Sequence, residues 1–169
     1  MVTYTDLAAP VYPENFNFSD TASKTIAEYL FTGLNETFYN ALRGNIVKSY
    51  RHFNDIYPPL TDFPLLKVYP TQESGYTEFS REAITQYTID YIMAFPKLKS
   101  VPDVSVFVAK EIKRLLLAGS YGEPQVFQLD PNSRLNVSYD TAVASEGSMY
   151  NQATVFRYVT VNTGFYTYA

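Results

Sequence analysis

The sequence predicts a single α+β domain: a mostly antiparallel sheet of about five strands, with two main helices packed on one face, in the order α-β-β-β-α-β-β. Three observations carry this. Apolar residues recur every three or four positions in two stretches, the period of a helix with one buried face. Residues 85–95 and 155–161 alternate in steps of two, the period of a strand. The strands bunch on either side of the second helix instead of alternating with helices, which favours antiparallel pairing. A length of 169 residues suits one domain with its own core. The organisation read from the chain is an extended arm over 1–19, a domain over 20–162 and an aromatic tail over 163–169.

The arm is punctuated by Pro10 and Pro13, with turn-forming Asn15, Asn17 and Ser19. It nevertheless carries Tyr4, Val11, Tyr12, Phe16 and Phe18, apolar groups that call for burial on this chain or on a neighbour. The first helix is expected from Thr21 to Arg43. Ser19 or Asp20 serves as its cap, Ile26, Leu30, Leu34, Phe38 and Ala41 form its apolar face, and Gly44 follows its end. Gly33 is a weak point within it. Ile46–Phe53 reads as a strand, 57–61 as a rigid loop, Phe63–Tyr69 as a second strand and Thr71–Gly75 as a turn.

The third strand, Thr85–Phe95, sets Thr85, Tyr87, Ile89, Tyr91, Met93 and Phe95 on one face and Gln86, Thr88 and Asp90 on the other, one face toward the core and the other toward water. Pro96 ends it. The second helix is capped by Asp103, buries Val104, Phe107, Val108, Ile112, Leu115 and Leu116, and stops at Gly119. Its Lys113 and Arg114 suit the negative end of the helix dipole. Leu135, Val137, Tyr139 and Val143 mark a fourth strand, and Val155 to Val161 a fifth. Phe165, Tyr166 and Tyr168 then lie beyond the last strand.

Composition narrows the function classes. The net charge of −4 and the lack of a basic stripe argue against sequence-specific nucleic-acid binding. No cysteine is present, so disulfides and thiol chemistry are excluded. No apolar run is long enough to span a bilayer, so no membrane partner is expected. The first twenty residues lack the basic head and apolar core of a secretory signal. The N-x-S/T triplets at Asn17, Asn35 and Asn136 carry little weight without one. Sixteen Tyr and twelve Phe, with no Trp, point to surface contact, because tyrosine joins a large apolar area to a polar tip. They equally suit the capping of sheet faces.

Chemistry-bearing patterns are sparse. His52 is the single histidine and has no flanking signature of a triad or a zinc site. Asp130 and Asn132 match the opening of a calcium loop, but Arg134 stands where a third oxygen ligand belongs, so 130–133 reads as a β-turn. Gly119 and Gly122 follow a helix and lack phosphate-loop spacing. Glu82 and Asp90 share strand parity, and a hydrolase could use such a carboxylate pair. No catalytic residue, cofactor or metal is expected.

The order of elements, with the segment Phe63-Pro64-Leu65-Leu66-Lys67-Val68-Tyr69 after the first helix and strand, resembles the tail-terminator (tail-completion) proteins of tailed bacteriophages and their neck relatives. The resemblance covers residues 20–162 and is one of architecture. It implies a non-enzymatic virion subunit, assembled in the host cytoplasm, that forms a ring, usually a hexamer. Such a ring ends the tail tube and joins it to the head connector, so a tail-tube protein and connector proteins are the implied partners. DNA would pass through the ring. Tyr4, Tyr12, Phe16, Phe18, Phe165, Tyr166 and Tyr168 are the candidate contact residues, with folding back on their own core as the alternative. Alternatives for the whole chain are another ring component, such as a head–tail adaptor, tail-tube or baseplate protein, or a small ligand-binding α+β module with aromatic platforms.

Overall fold

The computed structural model describes residues 21–42, 47, 49–51, 60–74, 82–96, 102–144 and 154–168. Along the chain these form α1 (Thr21–Leu42), β1 (Ser49–Arg51), β2 (Leu65–Ser74), β3 (Glu82–Pro96), α2 (Ser105–Tyr121), β4 (Asn136–Ala144) and β5 (Thr154–Tyr168). The class is α+β and the expected order of elements is the observed one. Tyr4, Tyr12, Phe16, Phe18 and His52 lie outside the described residues, as do the caps foreseen for α1.

One sheet of five strands runs in the order β1-β2-β3-β5-β4. Four strands are antiparallel, and the three-residue β1 adds to β2 in parallel. The centre of the sheet is β3 against β5, paired over the full length of both, from Glu82↔Tyr168 to Pro96↔Thr154. Directly paired residues share a face. The odd positions of β3 therefore lie beside Val159, Val161, Thr163 and Phe165 of β5 and beside Leu66 and Val68 of β2.

Both helices cover this face. Ile26, Leu30 and Leu34 of α1 and Val108, Ile112, Leu115 and Leu116 of α2 are buried against Tyr87, Ile89, Tyr91, Val159, Val161 and Phe165. Each such side chain, removed from water, contributes roughly 1.5–3 kcal/mol. The helices also touch each other. A Cβ on Gly33 would lie 2.6 Å from Leu115 Cδ2, so the glycine foreseen as a weak point lets α1 approach α2.

Several expectations are corrected. The strand foreseen to stop at Tyr69 continues to Ser74 through a bulge, where the register shifts by one between Pro70 and Gln72. The even face of β3 is not simply wet: Ile92 joins Phe63, Leu65 and Phe156 in a second, smaller apolar cluster, and Thr88 is buried. Gly119 does not end α2, which runs on to Tyr121. Gly119 is buried inside it against Phe127, and the Gly122 N–H closes the helix on the Ala118 carbonyl. Lys113 and Arg114 thus lie before the last turn, which holds no basic residue. Phe107 is exposed, because the buried stripe follows 105, 108, 109, 112, 115, 116 and 119, which leaves 107 on the outer side. Residues 163–168 are not a tail beyond the sheet but the last six residues of β5.

Asp103 does act at the start of α2, from one residue further out than a cap position. Its Oδ1 accepts hydrogen bonds from the backbone N–H and hydroxyl of Ser105, and these hold the Asp103 carboxyl below its usual range, with Arg157 adding to the effect. The 130–133 turn is also observed. The Ser133 N–H donates to the Asp130 carbonyl at 3.1 Å, and the Asn132 N–H and the Ser133 hydroxyl donate to the Asp130 carboxylate.

Candidate functional site

The helices leave the β4 end of the sheet uncovered. β4 is the outermost strand, hydrogen-bonded to β5 on one side, and most of its residues are exposed. Among the described residues nothing pairs with its other edge. Such an edge presents a row of free N–H and C=O groups, which proteins usually blunt with lysine, proline or a bulge. The sequence of β4, Asn-Val-Ser-Tyr-Asp-Thr-Ala-Val-Ala, contains neither lysine nor proline, pairs with β5 without a bulge, and carries one charge, on Asp140.

On the helical side of this edge stand Tyr139, Thr141 and Val143, and Arg157 of β5 links them to α2. Its Nη1 donates to Thr141 Oγ1 at 3.0 Å, its Nε donates to Ser105 Oγ at 3.2 Å, and its Nη2 lies 3.6 Å from Asp103. The guanidinium lies over the Tyr139 ring, 5.7 Å from its centre, a cation–π arrangement. This brings the start of α2 beside the front of β4. Large apolar side chains are exposed on both elements: Tyr139 at 42% and Val143 at 55% on β4, and Val106 at 52% and Phe107 at 67% in the first turn of α2.

The face of the sheet opposite the helices carries a polar network. Asp90 accepts the Tyr69 hydroxyl at 3.0 Å and the Thr160 hydroxyl at 2.6 Å, and Thr88 donates to Asn162 at 2.6 Å. Burial, then the charge of Asp90 and its hydrogen bond, push the Tyr69 phenol up to about 12. Burial, followed by Asp90 and Asp140, likewise raises Tyr158. The carboxylate pair considered for hydrolysis is not formed. Glu82 and Asp90 lie eight residues apart on one strand, about 26 Å at the strand rise. Asp130, foreseen as the opening of a calcium loop only to be set aside, is engaged by its own turn.

Of the candidate contact residues within the described chain, Phe165 is in the core, 1% exposed and edge-to-face with Tyr87 and Phe127. It is unavailable to a partner. Tyr166 is half-buried, and its backbone N–H donates to the Gln128 carbonyl. Tyr168 pairs with Glu82 at the end of β5. Exposed apolar residues that the sequence did not mark as contact candidates include Val106, Phe107, Tyr139 and Val143. Their signal was there in part: the hydrophobic stripe of α2 is too wide for one buried face, and the alternation of β4 is apolar on a strand whose place at the edge one sequence does not reveal. No protein-family model matches the chain, and no curated protein matches it in sequence.

Proposed function

We propose that the protein is a structural subunit that assembles with further copies of itself, as the ring at the neck of a tailed phage that terminates the tail tube and meets the head connector. The observation that carries the assembly is the unblunted β4 edge flanked by exposed Val106, Phe107, Tyr139 and Val143. Burying these groups against a neighbouring copy satisfies both the backbone of the edge strand and the apolar area beside it. The order of elements supports the neck assignment, by likeness of architecture to the tail terminators. The chemistry of such a subunit lies in its interfaces, and Arg157 works there by holding Tyr139 and the start of α2 in one surface.

Light scattering on the purified chain, alone and co-expressed with tail-tube and connector proteins, tests this. The expected result is a closed assembly, six times the 19.2 kDa subunit for a hexamer, that Val143→Lys or Phe107→Glu reduces to monomer with the circular dichroism unchanged. A monomer under every condition, or an assembly indifferent to both substitutions, would sink the proposal.

A further inference from the structure

At the other end of β5, eight to ten residues from Arg157, a cleft of about 660 Å³ opens between the first turns of α1, the ends of β2, β3 and β5, and the segment 125–128. Its size is that of small-molecule sites. Its floor is aromatic. Tyr87, Phe165 and Phe127 stand edge-to-face in succession, with ring centres 5.4 and 5.3 Å apart, and Phe127 in turn meets Tyr29 at 5.3 Å. Tyr87 and Phe165 are fixed in the core, whereas Phe127 is half-buried.

The walls are rich in acceptors. Thr85 and Thr167 share a hydrogen bond of 2.7 Å, and Thr167 also reaches the Ala83 carbonyl at 3.4 Å. With both hydroxyl protons directed at these partners, the pair offers lone pairs to an incoming O–H. Gln125 donates its amide to the Ser120 carbonyl at 2.9 Å, which leaves its own carbonyl as an acceptor. Glu73 adds a carboxylate, and the exposed Gln128 adds an amide able to donate as well as accept. Among the described lining residues there is no Lys, Arg or His, so a phosphate or other anion finds no counter-charge.

We propose that this cleft binds a neutral sugar of one or two rings, its apolar face against the half-buried Phe127 and its hydroxyls donating to Glu73, Gln125 and the Thr85–Thr167 pair. Donors on the ligand meet acceptors on the protein, and the absence of formal charge matches the cation-free lining. This site is separate from the β4 surface, so its fate does not depend on assembly.

The test is saturation-transfer NMR on the full chain with maltose, cellobiose and diacetylchitobiose, with glucose 6-phosphate as the anionic control. At least one neutral disaccharide is expected to bind, and the phosphate ester at least tenfold more weakly. Glu73→Gln and Gln128→Ala, both at exposed positions, should each weaken binding about fivefold, the worth of one hydrogen bond. Phe127→Ala should abolish it, with the fold checked by circular dichroism. No transfer to any of the three sugars, equal binding of glucose 6-phosphate, or binding unmoved by both Glu73→Gln and Gln128→Ala overturns the proposal.

Discussion

Gly33 shows how a single side chain, or its absence, sets the distance between two helices. In isolation alanine at this position would favour the helix by about 1 kcal/mol. Here the added methyl would press on the buried Leu115 side chain at 2.6 Å, and overpacking costs roughly 1–3 kcal/mol. Gly33→Ala is therefore expected to lower stability by about 1 kcal/mol net in urea unfolding. A raised midpoint would show instead that Leu115 swings clear. Tyr69 offers a residue-scale effect of pH. Its phenol is held to about 12 in the folded chain, against 10.0 when unperturbed. Below pH 10 both folded and unfolded chains keep the proton and the contribution to stability is whole. Between pH 10 and 12 the unfolded chain ionises while the folded one does not, so stability is lost as pH rises. The stability advantage of the wild-type chain over Tyr69→Phe should shrink across that window, as read by urea unfolding at stepped pH, and a constant difference would contradict the assignment.

At the scale of elements, α1 is joined to the start of the sheet by a side chain acting as backbone. The Asn35 amide donates to the Val47 carbonyl at 3.0 Å, and its oxygen accepts the Val47 N–H at 2.9 Å. Val47 is fully buried, so Asn35→Ala would strand a donor and an acceptor away from water. The cost of unsatisfied buried groups, about 1–3 kcal/mol, outweighs the better helix propensity of alanine. Unfolding midpoints should fall accordingly, and an unchanged midpoint would mean that water replaces the amide. Much of each element was legible: the face of α1 as far as Leu34, the face of α2 apart from Phe107, and the odd face of β3 follow from periodicity. What escaped depends on partners distant in sequence. Asparagine at 35 reads as a helix-surface residue until Val47 is beside it. Asp103 does serve the start of α2, but from outside the cap position. Gly119 looks like a stop signal, yet it is interior because Phe127 needs the space.

For the whole molecule, class and order were legible, whereas register and strand neighbours were not. Nothing in one sequence says that β5 lies between β3 and β4, and this placement alone turns Phe165 into core and β4 into an edge. The same placement brings together the polar residues of the sheet's open face, Thr88 and Asp90 from one strand with Thr160 and Asn162 from another some seventy positions later. The two proposals fall at separate ends of the molecule. At the start of β5, Arg157 ties the exposed Tyr139 of β4 to the start of α2. At its finish, Phe165 and Thr167 form part of an aromatic-floored cleft. The expected outcomes at the two ends are independent: Val143→Lys should change mass in solution and leave sugar binding intact.

The bulge between Pro70 and Gln72 carries a consequence for how this chain tolerates changes in length. Before it, each β2 residue pairs with a β3 residue so that Leu66 and Val68 face the helices. After it, the one-residue shift aligns Glu73 with Thr85 and so delivers the carboxylate to the cleft. Thr71 is the residue in excess there: with it removed, Gln72 and Glu73 would close up opposite Gln86 and Thr85 in a regular ladder and keep their present faces. Straightening the strand with no residue lost would instead set Glu73 opposite Ile84, on the face of the Asp90 network.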